Sequence, residues 1–442
     1  MSFSHDFLIG ASTAAHQVEG NNIHSDFWAQ EQMEHSNFAE PSLDAVDHYH
    51  RYADDIALMA SAGLNAYRFG IEWARIEPEE GKFDETEIEH YRNVIRCCKE
   101  NGVEPIVTMH HFSSPKWLIS KGGWEAESTV EDFRKYCAYV IERLGSELTY
   151  VCTINEANMG LQMAAIAKRY MTQMQTQAAA AKTATQDTKN AESSAQVGFN
   201  MQSIMAARKA AAAETEQVFG LAPGESAQTF LSLRSEKGDA LIMRAHEAAR
   251  DAMKSICPHL KIGLTLSLHD FQPLAGGEEI ARKEWAEEFT HYLPYIQNDD
   301  FFGLQNYTRT RVDATGSLSA PEGAELTQMN YEFYPEALEH VIRKVAEDFK
   351  GEIIVTENGI ATSDDTRRVE FIRRAMDGVQ HCIADGIPVK GYCHWSLLDN
   401  FEWQKGFSMT FGLISVDRQN MQARTAKPSL AYLGSFAAQK DL

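Results

Sequence analysis

The sequence has few cysteines, and their arrangement argues against the commonest cysteine-based sites. Seven are scattered along the 442 residues, at positions 97, 98, 137, 152, 257, 382 and 393. No Cys-x-x-Cys pair occurs among them, so neither a zinc site nor a disulfide framework is indicated. We therefore expect reduced thiols and a cytoplasmic location.

Long apolar runs and positive charge are also lacking. No apolar stretch approaches the roughly 20 residues that a membrane-spanning helix needs. The first residues show no basic segment followed by an apolar one, so no signal peptide is expected. The chain has 41 basic and 63 acidic residues, which gives a formal net charge of −22. We expect neither nucleic acid nor a membrane as a partner, because this balance is the opposite of what anionic partners attract.

A glycine-rich nucleotide motif is missing as well. No Gly-x-Gly-x-x-Gly follows the first apolar segment, which argues against a dinucleotide-binding doubly wound sheet. Short apolar segments instead alternate with longer amphipathic ones, a rhythm typical of parallel βα units. Eight such units without a linker favour one closed (β/α)8 barrel, a single domain over residues 1–442. The predicted strands are Phe7–Thr13, Ala66–Trp73, Pro105–His111, Tyr150–Asn155, Lys261–Leu268, Phe301–Tyr307, Glu352–Thr356 and Val389–Leu397.

Helical segments are predicted between the strands, and one region departs from the regular alternation. The helices Asp47–Ala62 and Glu85–Asn101 end just before Gly63 and Gly102, the usual place of a capping glycine. Residues 168–228 are instead rich in alanine and glutamine, which favour helix. We interpret them as a helical insertion after the fourth strand, on the face where barrel enzymes carry their active sites. A solvated helical hairpin without a role in catalysis is the alternative.

Two glutamates stand at predicted strand ends. Glu156 follows Thr153-Ile-Asn, and Glu357 follows Ile354-Val-Thr. Taken singly, each is typical of an exposed residue. In a closed parallel barrel, however, all strand C-termini converge on one face. Two carboxyl groups about 5 Å apart on that face are what a retaining glycosidase needs, one as nucleophile and one as acid.

Other residues supply what such a pair requires. Arg68 could keep the nucleophile ionised, although a structural salt bridge at the barrel mouth is an equally ordinary role. Asn155 could bond a sugar hydroxyl or the nucleophile. His110 and His111 are adjacent on a strand and point to opposite faces, so we expect no metal and a hydrogen-bonding role for His111. The segment Trp395–Trp403 offers the aromatic surface and polar groups that a sugar ring needs.

Six co-linear segments identify the chain as similar to glycoside hydrolase family 1, the β-glucosidase family. The resemblance extends from end to end of the chain, except for about residues 168–228. The six segments are Phe7–Gly20, Thr108–Phe112, Thr153–Glu156, Phe302–Tyr307, Val355–Gly359 and Trp395–Trp403. The resemblance implies a TIM barrel that needs no cofactor and acts on small-molecule β-glycosides. A homo-oligomer is compatible with the sequence.

The same resemblance implies a role for most of the site residues. Glu357 corresponds to the nucleophile and Glu156 to the acid and base. Arg68, because of its charge and its place at the second strand, is expected to give catalytic support. The resemblance also implies a substrate-binding set, in which Trp395 is the sugar platform and Tyr307 also contacts the nucleophile. Asn155 joins this set because of its place next to Glu156. The set comprises Gln17, His111, Asn155, Tyr307, Trp395, Glu402 and Trp403.

The chain also departs from the family pattern. Ala157 stands where the family usually has proline, which restores an N–H and leaves the orientation of Glu156 less restricted. Gln305 replaces a common asparagine. We predict a retaining hydrolase of terminal unphosphorylated β-D-glucosides, with β-galactosides and β-fucosides as further candidates. The alternatives are a 6-phospho-β-glycosidase, which Glu402 disfavours through charge repulsion, and a catalytically weak sugar-binding relative.

Overall fold

The computed structural model describes residues 3–168, 171 and 212–439 and shows a closed barrel of parallel strands. Nine strands form one sheet, and every pairing within it is parallel. The barrel strands are β1 (Leu8–Ser12), β2 (Ala66–Gly70), β3 (Glu104–His110), β4 (Tyr150–Ile154), β5 (Lys261–Gly263) and β6 (Thr265–Ser267), then β8 (Phe301–Gln305), β11 (Glu352–Asn358) and β12 (Val389–Trp395). We call each of the eight strand positions around the barrel a stave. Two of the nine strands, β5 and β6, are the halves of the fifth stave and are interrupted only at Leu264. The sheet closes on itself through these two strands.

The predicted (β/α)8 TIM barrel is thus confirmed, and each predicted strand corresponds to one stave. Smaller sheets, which the sequence reading did not predict, lie outside the barrel. A three-stranded sheet contains β7 (Asp270–Pro273), β9 (Arg309–Asp313) and β10 (Gly316–Leu318). The strands β13 (Ile414–Asp417) and β14 (Ala423–Ala426) pair as an antiparallel hairpin.

Helices pack around the barrel, and the two predicted with definite bounds are present as His48–Ser61 and Glu85–Glu100. Gly63 and Gly102 follow them with φ of 100° and 70°, a conformation that favours glycine. The other long helices are Ser128–Leu144, Glu236–Ile256, Glu278–Glu288, Ala337–Asp348, Asp365–Ala384 and Pro428–Ser435. The short helices are Ala15–Val18, Asp26–Glu31, Trp73–Ile76, Lys116–Ser120 and Leu293–Ile296, with 3-10 turns at Gly123–Glu125, Gly145–Glu147, Thr290–Tyr292, Trp403–Lys405 and Phe436–Gln439.

One end of the barrel interior is filled by apolar side chains, one from each of seven staves. Phe301 is the largest of them, and a Cβ at Gly263 would lie 2.2 Å from its carbonyl oxygen, so glycine is required at that position on the fifth stave. This filling leaves the opposite end, at the C-termini of the strands, for polar side chains. The layer consists of Leu8, Ala66, Ile106, Cys152, Phe301, Ile354 and Cys393.

Most of the predicted insertion lies outside the described residues. Of its ends, residues 159–168 continue as a helix after β4, and residues 212–219 form another helix. The carboxylate of Glu214 accepts hydrogen bonds from the backbone N–H groups of Glu34 and His35, which places this second helix beside the loop after Asp26–Glu31. No described helix combines the length and the apolar character needed to cross a membrane.

Candidate active site

A pocket lies at the C-terminal ends of the barrel strands. It brings together residues that are far apart in the sequence, from the ends of β3, β4, β8, β11 and β12. Arg68 and Gln17 lie beside it and bond to residues of its wall. The wall consists of His111, Phe112, Asn155, Glu156, Tyr307, Glu357, Trp395, Glu402, Trp403 and Phe411.

Glu357 is held at both carboxylate oxygens. Arg68 Nη1 donates to Oε1 at 2.6 Å, and the Tyr307 hydroxyl donates to Oε2 at 2.6 Å. The strand pairing of β11 is irregular between Val355 and Glu357, and such irregularities redirect side chains. The pKa of Glu357 is raised on balance, because burial outweighs the positive charge of Arg68 and the Tyr307 hydrogen bond, which favour the ionised form.

Asn155 lies between His111 and Arg68, the residue that bonds to Glu357. Its Oδ1 accepts from Arg68 Nη2 at 2.5 Å and from Gln305 Nε2 at 2.7 Å, which fixes the amide orientation. Its Nδ2 therefore donates to His111 Nε2 at 3.1 Å. Burial and the charge of Arg68 lower the pKa of His111 well below its usual value, so the imidazole is neutral and carries its proton on Nδ1. That buried Nδ1–H has no partner among the described residues and is available to a ligand.

Glu156 has a different environment. Its side chain is buried, and neither carboxyl oxygen makes a well-formed hydrogen bond within the described part of the chain. Burial, followed by the negative charges of Glu357 and Glu402, raises the pKa of Glu156 well above its usual value. The Ser267 hydroxyl and Arg68 oppose this shift without cancelling it. Glu156 therefore holds its proton to higher pH than an exposed glutamate does.

The backbone at Glu156 is also unusual. Its φ is 43°, in the left-handed region that residues with side chains rarely adopt. The N–H of Ala157, which a proline would lack, donates to the carbonyl oxygen of Thr265 at 3.1 Å. The backbone freedom expected from Ala157 is thus opposed by a hydrogen bond to the fifth stave.

The far end of the pocket carries an acidic and aromatic group of residues. Gln17, in the short helix Ala15–Val18, donates from Nε2 to Glu402 Oε2 at 3.2 Å and to the carbonyl of Phe401 at 2.8 Å. Its Oε1 is buried without a partner among the described residues. The rings of Trp395 and Trp403 lie 5.7 Å and 6.2 Å from the His111 ring. Polar atoms and flat apolar surfaces that face one space are the features of a sugar site.

The adjacent histidines His110, the last residue of β3, and His111, the next residue, have separate environments. His110 Nε2 lies 3.0 Å from Ser114 Oγ, and its ring packs against Trp124 and Phe230. Of these two histidines, only His111 is part of the pocket wall. In the described ranges no three His, Cys, Asp or Glu side chains are grouped closely enough to hold a metal ion.

Sequence reasoning missed part of the site. Phe112 and Phe411 line the pocket but were not predicted, and Gln305 was noted only as a departure from the family. Phe112 directly follows His111 at a strand end, which is a usable signal. Phe411 lies in a loop, where no periodic pattern marks it. Thr265 lies within a predicted strand, and only the tertiary structure shows that it bonds to the backbone N–H groups of Glu156 and Ala157.

Comparisons with known proteins agree with this geometry. The model for glycosyl hydrolase family 1 matches residues 1–215 and 287–442. The chain is similar to a β-glucosidase of Agrobacterium sp. (strain ATCC 21400), with 28% identity over 99% of this chain and 95% of the relative. It is also similar to a 6-phospho-β-galactosidase of Lacticaseibacillus casei (strain BL23), with 27% identity over 93% of each chain.

A solved structure resembles the chain more closely. The crystal structure of β-glycosidase BGL167 superposes with a TM-score of 0.86 and shares 42% sequence identity. The match covers 100% of this chain and 98% of that one. The likeness therefore extends over the whole barrel and over the loops that form the pocket.

Proposed function

The chain belongs to glycosyl hydrolase family 1 and is a β-glycosidase, and from this premise we propose that it hydrolyses terminal unphosphorylated β-D-glucosides with retention of configuration. β-Galactosides and β-fucosides are further candidate substrates. The reaction would pass through a covalent glycosyl-enzyme intermediate formed on Glu357 and would need no cofactor.

The observation that carries this proposal is the unequal environment of the two buried glutamates. Glu357 bonds to a guanidinium and a phenol hydroxyl, both of which stabilise a carboxylate. Glu156 is buried without such donors and close to negative charge, which stabilises its protonated form. A pair of carboxyl groups with separated pKa values in one pocket is the arrangement that retaining glycosidases use.

In the first step, the Glu357 carboxylate attacks the anomeric carbon while Glu156 gives its proton to the departing glycosidic oxygen. The bond between that oxygen and the anomeric carbon breaks, and the sugar becomes covalently bound to Glu357 through an ester bond. In the second step, Glu156, now ionised, takes a proton from a water molecule that attacks the same carbon. The sugar is released with its original configuration, and both glutamates return to their starting states.

The preference for unphosphorylated sugars rests on charge at the far end of the pocket. The carboxylate of Glu402 lies there, and no lysine or arginine is among the residues of the pocket wall. Arg68, the nearby cation, bonds to Glu357 and Asn155. A phosphate dianion next to Glu402 would meet repulsion, and the described pocket wall has no lysine or arginine to offset it. The 6-phospho-β-glycosidase alternative therefore requires a site with a different charge from this one.

Other parts of the proposal rest on composition. A cytoplasmic location fits the unpaired state of all seven cysteines, and the net charge of −22 argues against nucleic acid as a partner. A homo-oligomer remains compatible with the chain. Retention of both Glu156 and Glu357 argues against a catalytically weak sugar-binding relative.

The test combines stereochemistry with trapping. Proton NMR during cleavage of an aryl β-glucoside should show β-glucose as the first-formed product, and α-glucose first would contradict retention. A fluorinated glucoside inactivator should label Glu357, and peptide mass spectrometry would identify the labelled residue. A panel of aryl β-glycosides with phosphorylated counterparts would then rank the sugars by kcat/KM.

A further inference from the structure

Glu156 is positioned by its backbone, and one residue of the fifth stave binds that backbone on both sides of the Glu156 α-carbon. The Glu156 N–H donates to Thr265 Oγ1 at 3.0 Å, and the Ala157 N–H donates to the Thr265 carbonyl oxygen at 3.1 Å. Thr265 is fully buried at the start of β6. The two bonds hold the peptide groups around a residue whose φ of 43° is rarely populated.

The Thr265 hydroxyl also reaches the residues before Glu156. It lies 3.4 Å from the carbonyl oxygen of Ile154 and 3.4 Å from Asn155 Oδ1. Because it accepts from the Glu156 N–H, its own proton is free to bond one of these two oxygens. Gln305 Nε2, which donates to Asn155 Oδ1, lies 3.4 Å from the same hydroxyl. A single hydroxyl thus connects the turn at Glu156 to the amide network beside the nucleophile.

We infer that Thr265 is a positioning residue for the proposed acid and base Glu156, and that it sets the direction in which this carboxyl group delivers its proton. The inference rests on the proposed function, because it assumes that Glu156 is the acid. The carboxyl group has no well-formed hydrogen bond of its own in the described part of the chain. Apart from the nearby Ser267 hydroxyl, the direction of the carboxyl group is therefore set by the backbone. Thr265, which is not among the residues of the pocket wall, holds that backbone.

The side chain of Thr265 has two separable parts. Its methyl group packs on β8, where a Cβ at Gly303 would lie 2.5 Å from Thr265 Cγ2. Its hydroxyl makes the contacts to the Glu156 turn. Thr265→Val keeps the packing and removes the hydroxyl, whereas Thr265→Ser keeps the hydroxyl and removes the methyl. A role in barrel packing and a role in acid positioning therefore predict opposite rankings of the two variants.

The experiment measures kcat/KM for methyl β-glucoside, a poor leaving group, and dinitrophenyl β-glucoside, a good one. For Thr265→Val we expect a loss of about 10-fold with the methyl glucoside beyond any loss with the dinitrophenyl glucoside, because only the former needs a well-aimed proton. Thr265→Ser should stay within about threefold of the unaltered enzyme on both substrates. If Thr265→Val does not fold, Thr265→Ala compared with Thr265→Ser isolates the hydroxyl in the same way.

The control is Thr129→Val, which removes another buried threonine hydroxyl, bonded to the Gly123 carbonyl oxygen at 2.6 Å outside the pocket. It should leave the ratio between the two substrates unchanged. Equal losses on both substrates for Thr265→Val, or a serine variant as impaired as the valine variant, would overturn the inference. Glu156→Ala is measured in parallel: if it shows no leaving-group dependence, the acid assignment itself fails, whatever the Thr265 variants do.

Discussion

The C-terminal ends of β4 and β11 each present a buried glutamate to the same pocket, but they hold it by different means. At β11, the Glu357 carboxylate accepts hydrogen bonds from Arg68 and Tyr307. At β4, the carboxyl group of Glu156 lacks a well-formed bond to any described residue, and its backbone bonds to Thr265. Charged donors on a carboxylate favour ionisation, whereas burial without donors favours the proton. The ends of these two strands thus place one residue type in two different electrostatic environments.

Removal of the Glu357 carboxylate tests the side of the comparison on which the carboxylate is held by side chains. We expect Glu357→Ala to lower kcat by about 10⁴-fold or more, because the covalent step loses its nucleophile. Azide should restore turnover by occupying the emptied space and should give the α-glycosyl azide, which NMR can assign. Rescue that gives the β-azide would show that Glu357 is not the nucleophile.

Removal of the Glu156 carboxyl group tests the other side. In Glu156→Ala, kcat/KM for substrates with basic leaving groups should fall by about 10²–10⁴-fold, since general acid assistance is lost. Activated aryl glucosides should be affected much less in kcat/KM. A uniform loss across a leaving-group series would remove the difference between the two glutamates on which the comparison depends.

The Tyr307 hydrogen bond should affect mainly the acidic limb of the pH profile of kcat/KM. A retaining enzyme of this design loses activity as pH falls through the pKa of the nucleophile, and again as pH rises through the pKa of the acid. The Tyr307 hydroxyl lowers the pKa of Glu357, so Tyr307→Phe should move the acidic limb of the kcat/KM profile to higher pH. The basic limb should move less, and a larger shift there would contradict the assignment.

Glu402 offers the opposite experiment. Its charge contributes to the raised pKa of Glu156, so Glu402→Gln should move the basic limb to lower pH. The same change should reduce by about 10-fold the preference for an aryl glucoside over its 6-phospho counterpart. If the unaltered enzyme cleaves the phosphorylated substrate with the higher kcat/KM, the proposed substrate class is wrong.

The smallest effect is expected from the predicted insertion. It follows β4 and Glu156 in the sequence, so we expect it to affect the leaving group rather than the sugar. Replacement of residues 172–211 with a Gly/Ser linker should change KM and the preference among leaving groups, while kcat/KM for small aryl glucosides stays within about threefold. The linker spares residues 212–219, which contact the loop at His35. A folded variant with an unchanged preference would leave the solvated hairpin as the correct interpretation.

Local patterns were sufficient for the frame of the site. Each of the eight barrel strands was predicted close to its observed position, because a buried parallel strand is a short apolar run between amphipathic helices. Glu156 and Glu357 were recognisable because each follows such a run, and closure of a barrel brings all these ends to one face. The family resemblance added Gln17 and Glu402, which the structure places in contact.

Only the tertiary structure decided how the two glutamates differ. Both stand after β-branched and apolar residues, and the sequence near each contains no feature that sets its pKa. The difference comes from Arg68, Tyr307 and Thr265, which are separated from their partners by 289, 50 and 109 residues. Hydrogen bonds and burial depend on which distant side chains the fold brings together, and no local pattern records that. The sequence by itself thus determined the barrel and its pair of carboxyl groups, whereas the packed fold determined that Glu357 bonds to a guanidinium and a phenol hydroxyl and that the pKa of Glu156 is raised well above its usual value.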